Sequence, residues 1–447
     1  MRERYDLILK GGRVLTPGGL VEADVGVRAG RIAALGSLDK GAAAESVEVR
    51  GLHVLPGVID TQVHFREPGA EHKEDLETGM RAAALGGVVA VCEMPNTRPS
   101  TTTAALLEDK LARAAGRAMV DHAFFVGAAH ENVGELAALE ALPGAAGVKL
   151  FMGSSTGSLL VPDDEGIFAV LAAGRRRVAV HAEDEPRLAA RKHIAIEGGR
   201  PHFHPLWRDV ETALAATRRL LSLARRAGRR VHVLHVTSAE EMAFLAGHKD
   251  FATVEVTPQH LTLAAPDCYD RLGTLAQMNP PIRDERHRAA LWRAVEDGVV
   301  DVIGSDHAPH TLEEKAKPYP ESPSGMPGVQ TLVPLLLDHA HAGRLTLERL
   351  VDLTSAGPAR VYGIAGKGRI AHGYDADFTV VDLRLRRVIE RASIASRCGW
   401  TPFEGMAVTG WPRLTVIRGR VVMREDELLG GPEGRPLRFL ETLERAA

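Results

Sequence analysis

The sequence predicts an α/β protein: a (β/α)8 TIM-like barrel with a small β-sandwich domain built from both chain termini. Before residue 55, short apolar segments alternate with Gly-rich turns, a pattern typical of a small sheet. After Pro56 the sequence repeats a pattern of predicted strand, polar loop and predicted helix. After Gly366 short β-like segments return. We therefore divide the chain into residues 1–55 and 367–447, which share the β domain, and a barrel over residues 56–366.

The barrel is predicted from eight apolar segments. The first lies in residues 55–69, and the others are residues 88–94, 123–126, 147–151, 178–181, 231–236, 253–256 and 300–303. Intervening stretches carry apolar residues at three-to-four spacing, as in residues 73–85, 207–227 and 285–295. An open doubly wound sheet is the alternative, but no Gly-rich dinucleotide turn follows the first strand.

Composition excludes several classes of protein. The 447 residues carry a formal charge of −3 with 25% charged residues, which gives no electrostatic case for nucleic acid or an anionic membrane. Cys92, Cys268 and Cys398 form no CxxC pair, so a disulfide framework and a zinc ribbon are both disfavoured. Residues 1–6 lack an apolar signal core and no stretch approaches about 18 apolar residues, so we expect a cytoplasmic protein.

The stretch 55–69 begins as an apolar run and ends in Pro-Gly, so it predicts a buried strand that leads into a loop. Alternation along a strand places Asp60, Gln62, His64 and Arg66 on one face and Thr61 among the residues of the other. Buried polar groups need partners, and a cavity that holds a metal or polar ligand supplies them. The alternative is an edge strand with a solvated polar face.

In a barrel, functional side chains collect where strands end. The predicted strand ends carry His64, Asn96, Lys149, His181, His235 and Asp306. Imidazoles, an acid and a lysine in this arrangement indicate a divalent metal site. The chain has 19 histidines, so a structural or exposed role is the alternative for each one. We assign such roles to His53, His72, His122, His202, His204 and His287, and we expect His232 to face the helices.

Lys149 lies inside an apolar strand, where burial disfavours its charge and lowers its pKa. A neutral amine reacts with carbon dioxide to give a carbamate, an anionic group able to bridge two metals. The alternative is a lysine whose head reaches out of the strand end into a loop.

Several motifs together resemble dihydroorotases of the amidohydrolase superfamily, in the cyclic amidohydrolase branch that includes hydantoinase and allantoinase. The motifs are His64-Phe65-Arg66-Glu67-Pro68-Gly69, Glu93-Met94-Pro95-Asn96-Thr97, Lys149, His181-Ala182-Glu183, His235-Val236-Thr237, Met278-Asn279-Pro280-Pro281-Ile282-Arg283 and Ser305-Asp306-His307-Ala308-Pro309-His310. The likeness covers nearly the whole chain. Lys149 looks more like hydantoinases, allantoinases and the lysine-type dihydroorotases than the many bacterial dihydroorotases with aspartate there.

The resemblance implies one or two zinc ions per chain, bridged by carbamylated Lys149 if there are two. One metal would bind the carbamate, His181 and His235, and the other would bind the carbamate, His64 and Asp306. The family's first strand normally has His-x-His, but the first of these positions is Gln62 here. A glutamine carbonyl is the weaker ligand, so the second site would be weak or empty. Little weight attaches to His260, which follows Gln259 where relatives often have two histidines.

The resemblance also implies a substrate and a reaction. Dihydroorotate is a cyclic ureide with a carboxylate, which Arg66 can bind through two hydrogen bonds. Asn96, Asn279 and His310 would be further substrate contacts, and Asp306 would be the general acid and base. Ring opening gives N-carbamoyl-aspartate, and the family runs this step in reverse in pyrimidine biosynthesis. For Arg66 the alternative is a surface ion pair with Glu67 or Glu71.

Two competing functions stay open. One is an allantoinase-like or hydantoinase-like hydrolase of another cyclic ureide, which the presence of Arg66 disfavours. The other is a non-catalytic subunit that supports a partner such as aspartate transcarbamoylase, for which Gln62 is the support. We expect a homo-oligomer, a dimer or tetramer, with neither nucleic acid nor membrane as a partner. Residues 321–328, rich in Pro, Gly and Ser, predict a mobile loop over the site.

Overall fold

The computed structural model describes residues 4–155 and 157–443. Residues 1–3 and 444–447, at the outer limits of the predicted β domain, lie outside this range, as does the beginning of the N-terminal segment that we inspected for a signal. The strands are β1 (Tyr5–Thr16), β2 (Gly19–Arg28), β3 (Arg31–Gly36), β4 (Ala43–Glu48), β5 (His53–Pro56), β6 (Val58–Val63), β7 (Val88–Glu93), β8 (Asp121–Gly127), β9 (Ala145–Phe151), β10 (Val178–His181), β11 (Val231–Val233), β12 (Ala252–Val256), β13 (Val302–Ile303), β14 (Phe378–Val388), β15 (Ala407–Ile417), β16 (Arg420–Arg424) and β17 (Glu427–Leu428).

The helices lie mainly between the strands of the central sheet. They are α1 (Leu76–Leu85), α2 (Ala104–Ala114), α3 (Leu136–Leu139), α4 (Asp164–Ala172), α5 (Glu185–Gly198), α6 (His204–Trp207), α7 (Val210–Ala227), α8 (Ala239–Ala246), α9 (Pro258–Thr262), α10 (Asp267–Leu272), α11 (Glu285–Glu296), α12 (Leu312–Lys315), α13 (Leu332–His341), α14 (Leu347–Val351) and α15 (Gly357–Tyr362). Short 3-10 turns occupy Lys40–Ala42, His130–Glu135, Pro201–Phe203, Gly273–Ala276 and Arg391–Ser393, and a π-helical turn occupies Asp352–Ala356.

The predicted barrel is confirmed. Strands β6 to β13 form one sheet in chain order, with every pair parallel. The first and last strands approach through His307, which bridges to Val63 and accepts a backbone hydrogen bond from His64 N at 2.7 Å. The sheet is buried on both faces, as parallel barrel strands require, so its strands read as continuous apolar runs.

Both termini contribute to a second sheet, as predicted. Its order is β17-β16-β15-β14-β5-β1-β2-β3, with β4 paired to β1 beside the path. β14, from the C-terminal part, pairs antiparallel with β5, from the N-terminal part. Many side chains of these strands form a core cluster of their own, whereas others pack into the core of the barrel, namely Leu15, Leu55, Val381, Ile417 and Val422. The division at residues 55/56 and 366/367 stays a prediction.

Element ends follow local chemistry. The predicted helix 207–227 begins later, at Val210, because Asp209 caps it by accepting a hydrogen bond from Thr212 N at 2.9 Å. It ends at Ala227, and Gly228 follows with a φ of 66°, a conformation that glycine adopts without strain. The sixth barrel strand ends at Val233 rather than residue 236 because His235 adopts a φ of 38°, which breaks the extended backbone. Among the described residues, no helix combines the length and apolarity that crossing a bilayer requires.

Candidate active site

All six side chains predicted from strand ends line one cavity at the carboxyl end of the barrel. It is lined by Gln62, His64, Arg66, Asn96, Lys149, Phe151, Ser155, His181, His235, Asn279, Asp306, Ala308, Ser324 and Gly325. A vestibule of about 550 Å³ lies outside it and shares Ser155, Asn279 and Ser324 with it. His310 lines the vestibule rather than the inner cavity. A small polar chamber behind a wider entrance suits a compact polar substrate.

His64 connects two other predicted site residues. Its Nδ1 lies 2.8 Å from Asn96 Oδ1, so that nitrogen donates its proton to the amide oxygen. Its Nε2 therefore carries the lone pair, and it faces Asp306 Oδ1 at 3.2 Å. Burial lowers the pKa of His64 and keeps the ring neutral. Two acceptor atoms that face each other at this distance match the ligand pair of a cation.

His181 and His235 form a second pair, in which His181 Nδ1 lies 3.1 Å from His235 Nε2. The other ring nitrogen of His181 is 2.8 Å from Glu183 Oε2, and Arg208 fixes this carboxylate through Nε and Nη2. A carboxylate behind an imidazole sets its tautomer and increases its basicity as a metal ligand. Burial lowers the pKa of both histidines, so both rings are neutral.

Lys149 is almost completely buried, so its head does not reach solvent as the alternative interpretation required. Within the described residues its Nζ has neither a hydrogen bond nor an ion pair, and it lies 4.6 Å from the centre of the Phe151 ring. Burial lowers the pKa of the amine to about 7. A large share of the amine is therefore unprotonated at neutral pH, the form that reacts with carbon dioxide.

These donors are of the kinds that a divalent cation binds, although among the described residues no three His, Cys, Asp or Glu side chains converge as a ready-made metal cluster. His64 Nε2, His181 Nδ1 and His235 Nε2 are neutral nitrogen donors, Asp306 supplies an oxygen, and Lys149 can supply two more as a carbamate. His64 and His181 each bind a polar group through the opposite ring nitrogen, as metal-binding imidazoles do.

Gln62 contacts the site through its amide nitrogen. Nε2 donates to Asp306 Oδ1 at 3.1 Å, whereas Oε1 is buried without a hydrogen-bond partner in the described part of the chain. The predicted alternation of inward and outward side chains along β6 fails at Thr61, the residue before Gln62. The cause is an irregular pairing of β6 with β7 between Asp60 and Val63. Thr61, expected on the opposite face, donates a hydrogen bond to Glu255 Oε2 at 3.3 Å instead.

Arg66 is buried and contacts neither Glu67 nor Glu71, so the surface ion pair considered for it is wrong. Its Nε donates to Pro309 O at 3.1 Å, and Nη2 lies 3.3 Å from His310 Nε2. The Arg66 guanidinium has no carboxylate within ion-pair distance among residues 4–155 and 157–443. Burial lowers the pKa of Arg66 to about 10, which still leaves it charged at neutral pH.

His310 has polar neighbours at both ring nitrogens. Lys73 Nζ lies 3.1 Å from Nδ1, whereas Arg66 Nη2, at 3.3 Å, and Ser324 O, at 3.1 Å, both face Nε2. Trp400, from the segment between β14 and β15, donates to His310 O at 2.7 Å. These contacts fix the ring beside the Arg66 guanidinium.

One histidine, His232, differs from the role that the sequence indicated. His232 was expected to face the helices, but its ring contacts Thr253 Oγ1 at 2.8 Å and lies 3.4 Å from Glu255, the same side chain that Thr61 reaches. His232 therefore points into the barrel, because the strand alternation does not extend to His235. His204, assigned a structural role, lies 3.0 Å from Asn279 Oδ1 and orients that amide. His260 is held by Pro280 O at 3.1 Å and does not line the cavity.

Sequence reasoning missed several supporting residues. Glu183 stands two residues after His181, a spacing that could have indicated a carboxylate behind a strand-end ligand. Lys73, Ser324 and Trp400 lie on loops far apart in the chain, and no local pattern connects them to the strand ends.

Three residues of the cavity adopt left-handed backbone, with φ of 62° at Arg66, 38° at His235 and 44° at Asp306. Non-glycine residues rarely occupy this region, and such deviations persist where the surrounding structure determines them. Each of the three residues follows the end of a barrel strand by two or three positions. The left-handed backbone there turns the side chain toward the cavity.

Comparisons with known proteins agree with this geometry. The sequence profile of the amidohydrolase family matches residues 53–422. A dihydroorotase of Halobacterium salinarum is 38% identical over 449 residues, covering 98% of this chain and all of the relative. An allantoinase of Rubrobacter xylanophilus is 36% identical, covering 97% of this chain and 98% of the relative. The solved structure of an L-hydantoinase from Arthrobacter aurescens aligns with a TM-score of 0.92 at 31% identity, covering 97% of this chain and 100% of that one.

Proposed function

Because the chain belongs to the amidohydrolase family, a family of generally metal-dependent hydrolases, we propose that it interconverts dihydroorotate and N-carbamoyl-aspartate. The observation that carries this choice is the buried Arg66 guanidinium, which has no carboxylate within ion-pair distance among the described residues and lies beside the His310 ring. A buried guanidinium whose donors have no carboxylate to bind favours an anionic ligand. Dihydroorotate has a carboxylate, whereas allantoin and unsubstituted hydantoin have none.

The metal ligands in this proposal are His64, Lys149 as its carbamate, His181, His235 and Asp306, and the metal is zinc, one or two per chain. Bound there, zinc acidifies water and polarises an amide carbonyl. Arg66 and His310 hold the substrate carboxylate, and Asn96 and Asn279 hold polar groups of the ring. Asp306 takes the proton of the attacking water and returns it to the ring nitrogen that leaves.

The test is a substrate panel. Metal-supplemented protein should hydrolyse dihydroorotate and form it from N-carbamoyl-aspartate at lower pH, with allantoin, hydantoin and dihydrouracil as comparisons. Turnover of an uncharged ureide without turnover of dihydroorotate would replace this proposal with the hydantoinase or allantoinase alternative, which two of the relatives support. A metal-free, inactive protein would favour the non-catalytic subunit. The homo-oligomer and the association with aspartate transcarbamoylase stay predictions.

Arg66→Lys keeps the positive charge of the side chain but loses the ability to donate two parallel hydrogen bonds to one carboxylate. We expect kcat/KM for dihydroorotate to fall about ten- to hundredfold, since hydrogen bonds to charged groups contribute about 1.5–3 kcal/mol. Steady-state kinetics on dihydroorotate measures the effect, and turnover of dihydrouracil by the same variant is the internal control. Equal losses on the two substrates would show that Arg66 does not recognise the carboxylate.

Gln62 should leave the two metals unequally bound. Zinc held by Lys149, His181 and His235 has a full set of family ligands, whereas its neighbour gains no imidazole from Gln62. Catalysis should survive, and graded chelation should remove one metal equivalent well before the other, as measured by metal analysis. Gln62→His should bring the two release steps together. Simultaneous loss of both metals from the native protein would contradict this prediction.

A further inference from the structure

Lys315, the last residue of α12, is buried without an acidic partner. Its Nζ donates to three backbone carbonyl oxygens: Gln277 at 3.1 Å, Pro323 at 2.8 Å and Gly325 at 3.0 Å. The side chain is fully inaccessible to solvent. Three donors therefore meet three acceptors, and no carboxylate lies within ion-pair distance among the described residues. Burial of an ammonium group without a counter-charge is costly, and the three carbonyl oxygens compensate part of this cost.

Two of the three carbonyls that Lys315 binds belong to the loop over the site, residues 321–328. They are those of Pro323 and Gly325, which flank Ser324, and the carbonyl oxygen of Ser324 lies 3.1 Å from His310 Nε2. Gly325 lines the inner cavity, and its N–H donates to Gln277 O at 2.9 Å. Its φ of 136° and the approach of Ala308 O, 2.4 Å from where a Cβ would be, leave room for glycine alone.

Gln277 reinforces the same attachment. Its Nε2 donates to Ser322 O at 2.8 Å, and its Oε1 accepts from Ser322 Oγ at 2.6 Å. Gln277 stands two residues before Asn279, which lines the cavity. Lys315 therefore joins the loop that carries Ser324 to the segment that carries Asn279, directly beside the His310–Arg66 pair.

We propose that Lys315 is a positioning residue for recognition of the substrate carboxylate. It holds residues 323–325 so that the Ser324 carbonyl fixes the His310 ring beside Arg66. The proposal rests on the proposed function for the identity of the substrate, but the attachment of the loop can be measured without catalysis.

Lys315→Met keeps the length of the side chain and removes its donors. We expect KM for dihydroorotate to rise about tenfold or more, because the carboxylate loses correctly placed donors, while kcat changes less than about threefold. Hydrogen exchange in peptides that cover residues 318–328 should accelerate, whereas peptides of the barrel strands should exchange as in the native protein. Lys315→Gln, with two remaining donors, should give intermediate values, and it replaces the methionine variant if that one does not fold.

Lys249→Met is the matched control. Lys249 Nζ also donates to a backbone carbonyl, Val299 O at 2.6 Å, and pairs with Asp301, but it lines neither the cavity nor the vestibule. An equal rise of KM in this variant, or unchanged KM and loop exchange in the Lys315 variants, would overturn the proposal. If the native protein does not turn over dihydroorotate, the proposed function fails, and the exchange measurement alone then decides whether Lys315 positions the loop.

Discussion

Lys149→Ala is expected to lower kcat/KM by at least about a thousandfold and to remove most of the bound metal. The carbamate would be the one ligand common to both metals, and stabilisation of several kcal/mol by the metal corresponds to this factor, since about 1.4 kcal/mol is tenfold in rate. The amine is buried beside Phe151 without any polar partner in the described part of the chain, so its loss breaks no other hydrogen bond. Kinetics and metal analysis on the same preparation measure both effects.

The design of the variant separates ligand loss from unfolding. Alanine leaves space in which propionate can place a carboxylate near the lost carbamate, so propionate should restore part of the activity and of the metal. Lys149→Met fills that space with an apolar side chain and should not respond to propionate. In the native protein, chelation in carbon dioxide-free buffer followed by zinc alone should restore less activity than zinc with bicarbonate. A Lys149→Ala variant with native metal content and rate would show that no carbamate is used.

The barrel was predictable because its signal is local and repeated. Parallel strands that are buried on both faces appear in the sequence as continuous apolar segments. The helices between them begin after N-capping residues that the sequence shows, such as Asp75 and Asp209. Strand ends could therefore be located to within a few residues, and their positions in the sequence alone predicted that Lys149, His181 and Asp306 lie together. Where a strand ends at a regular position, as at His181, its boundary was correct.

The failures have a common cause, which is irregular backbone. The period-two rule assumes an unbroken strand, but the pairing irregularity after Asp60 turns Thr61 to Glu255, and the left-handed conformation of His235 removes the basis for assigning a face to His232. Such conformations are imposed by tertiary contacts and have no local sequence signal in residues other than glycine.

The residues that hold the site residues in place could not be predicted from local sequence patterns either. Trp400 donates to His310 across 90 positions of the chain, and Lys315 binds Gln277 across 38. Periodicity and motif spacing describe residues that are neighbours in sequence, whereas these side chains become neighbours only when the loops of the barrel pack together. Charged residues such as Lys315 are also normally assigned to the surface, so its burial could not be anticipated.

Asp306→Asn is expected to reduce kcat by about 10² to 10⁴, the usual contribution of a positioned acid or base. Asparagine keeps the oxygen that accepts from Gln62 Nε2 and faces His64, but it cannot take a proton at neutral pH. It is also the substitution that the backbone tolerates best, because asparagine and aspartate populate the left-handed region that Asp306 occupies with a φ of 44°.

The variant distinguishes proton transfer from metal binding. If Asp306 serves as acid and base, Asp306→Asn measured at saturating zinc should retain its KM for dihydroorotate while kcat falls, because substrate contacts through Arg66 and His310 are untouched. The amide oxygen is a weaker ligand than the carboxylate, so the metal beside His64 should need more zinc to bind. Asp306→Ala, by contrast, should lose metal as well, since no oxygen remains opposite His64 Nε2. A kcat for Asp306→Asn within about threefold of the native value, in protein with native metal content, would assign the proton transfer to another group.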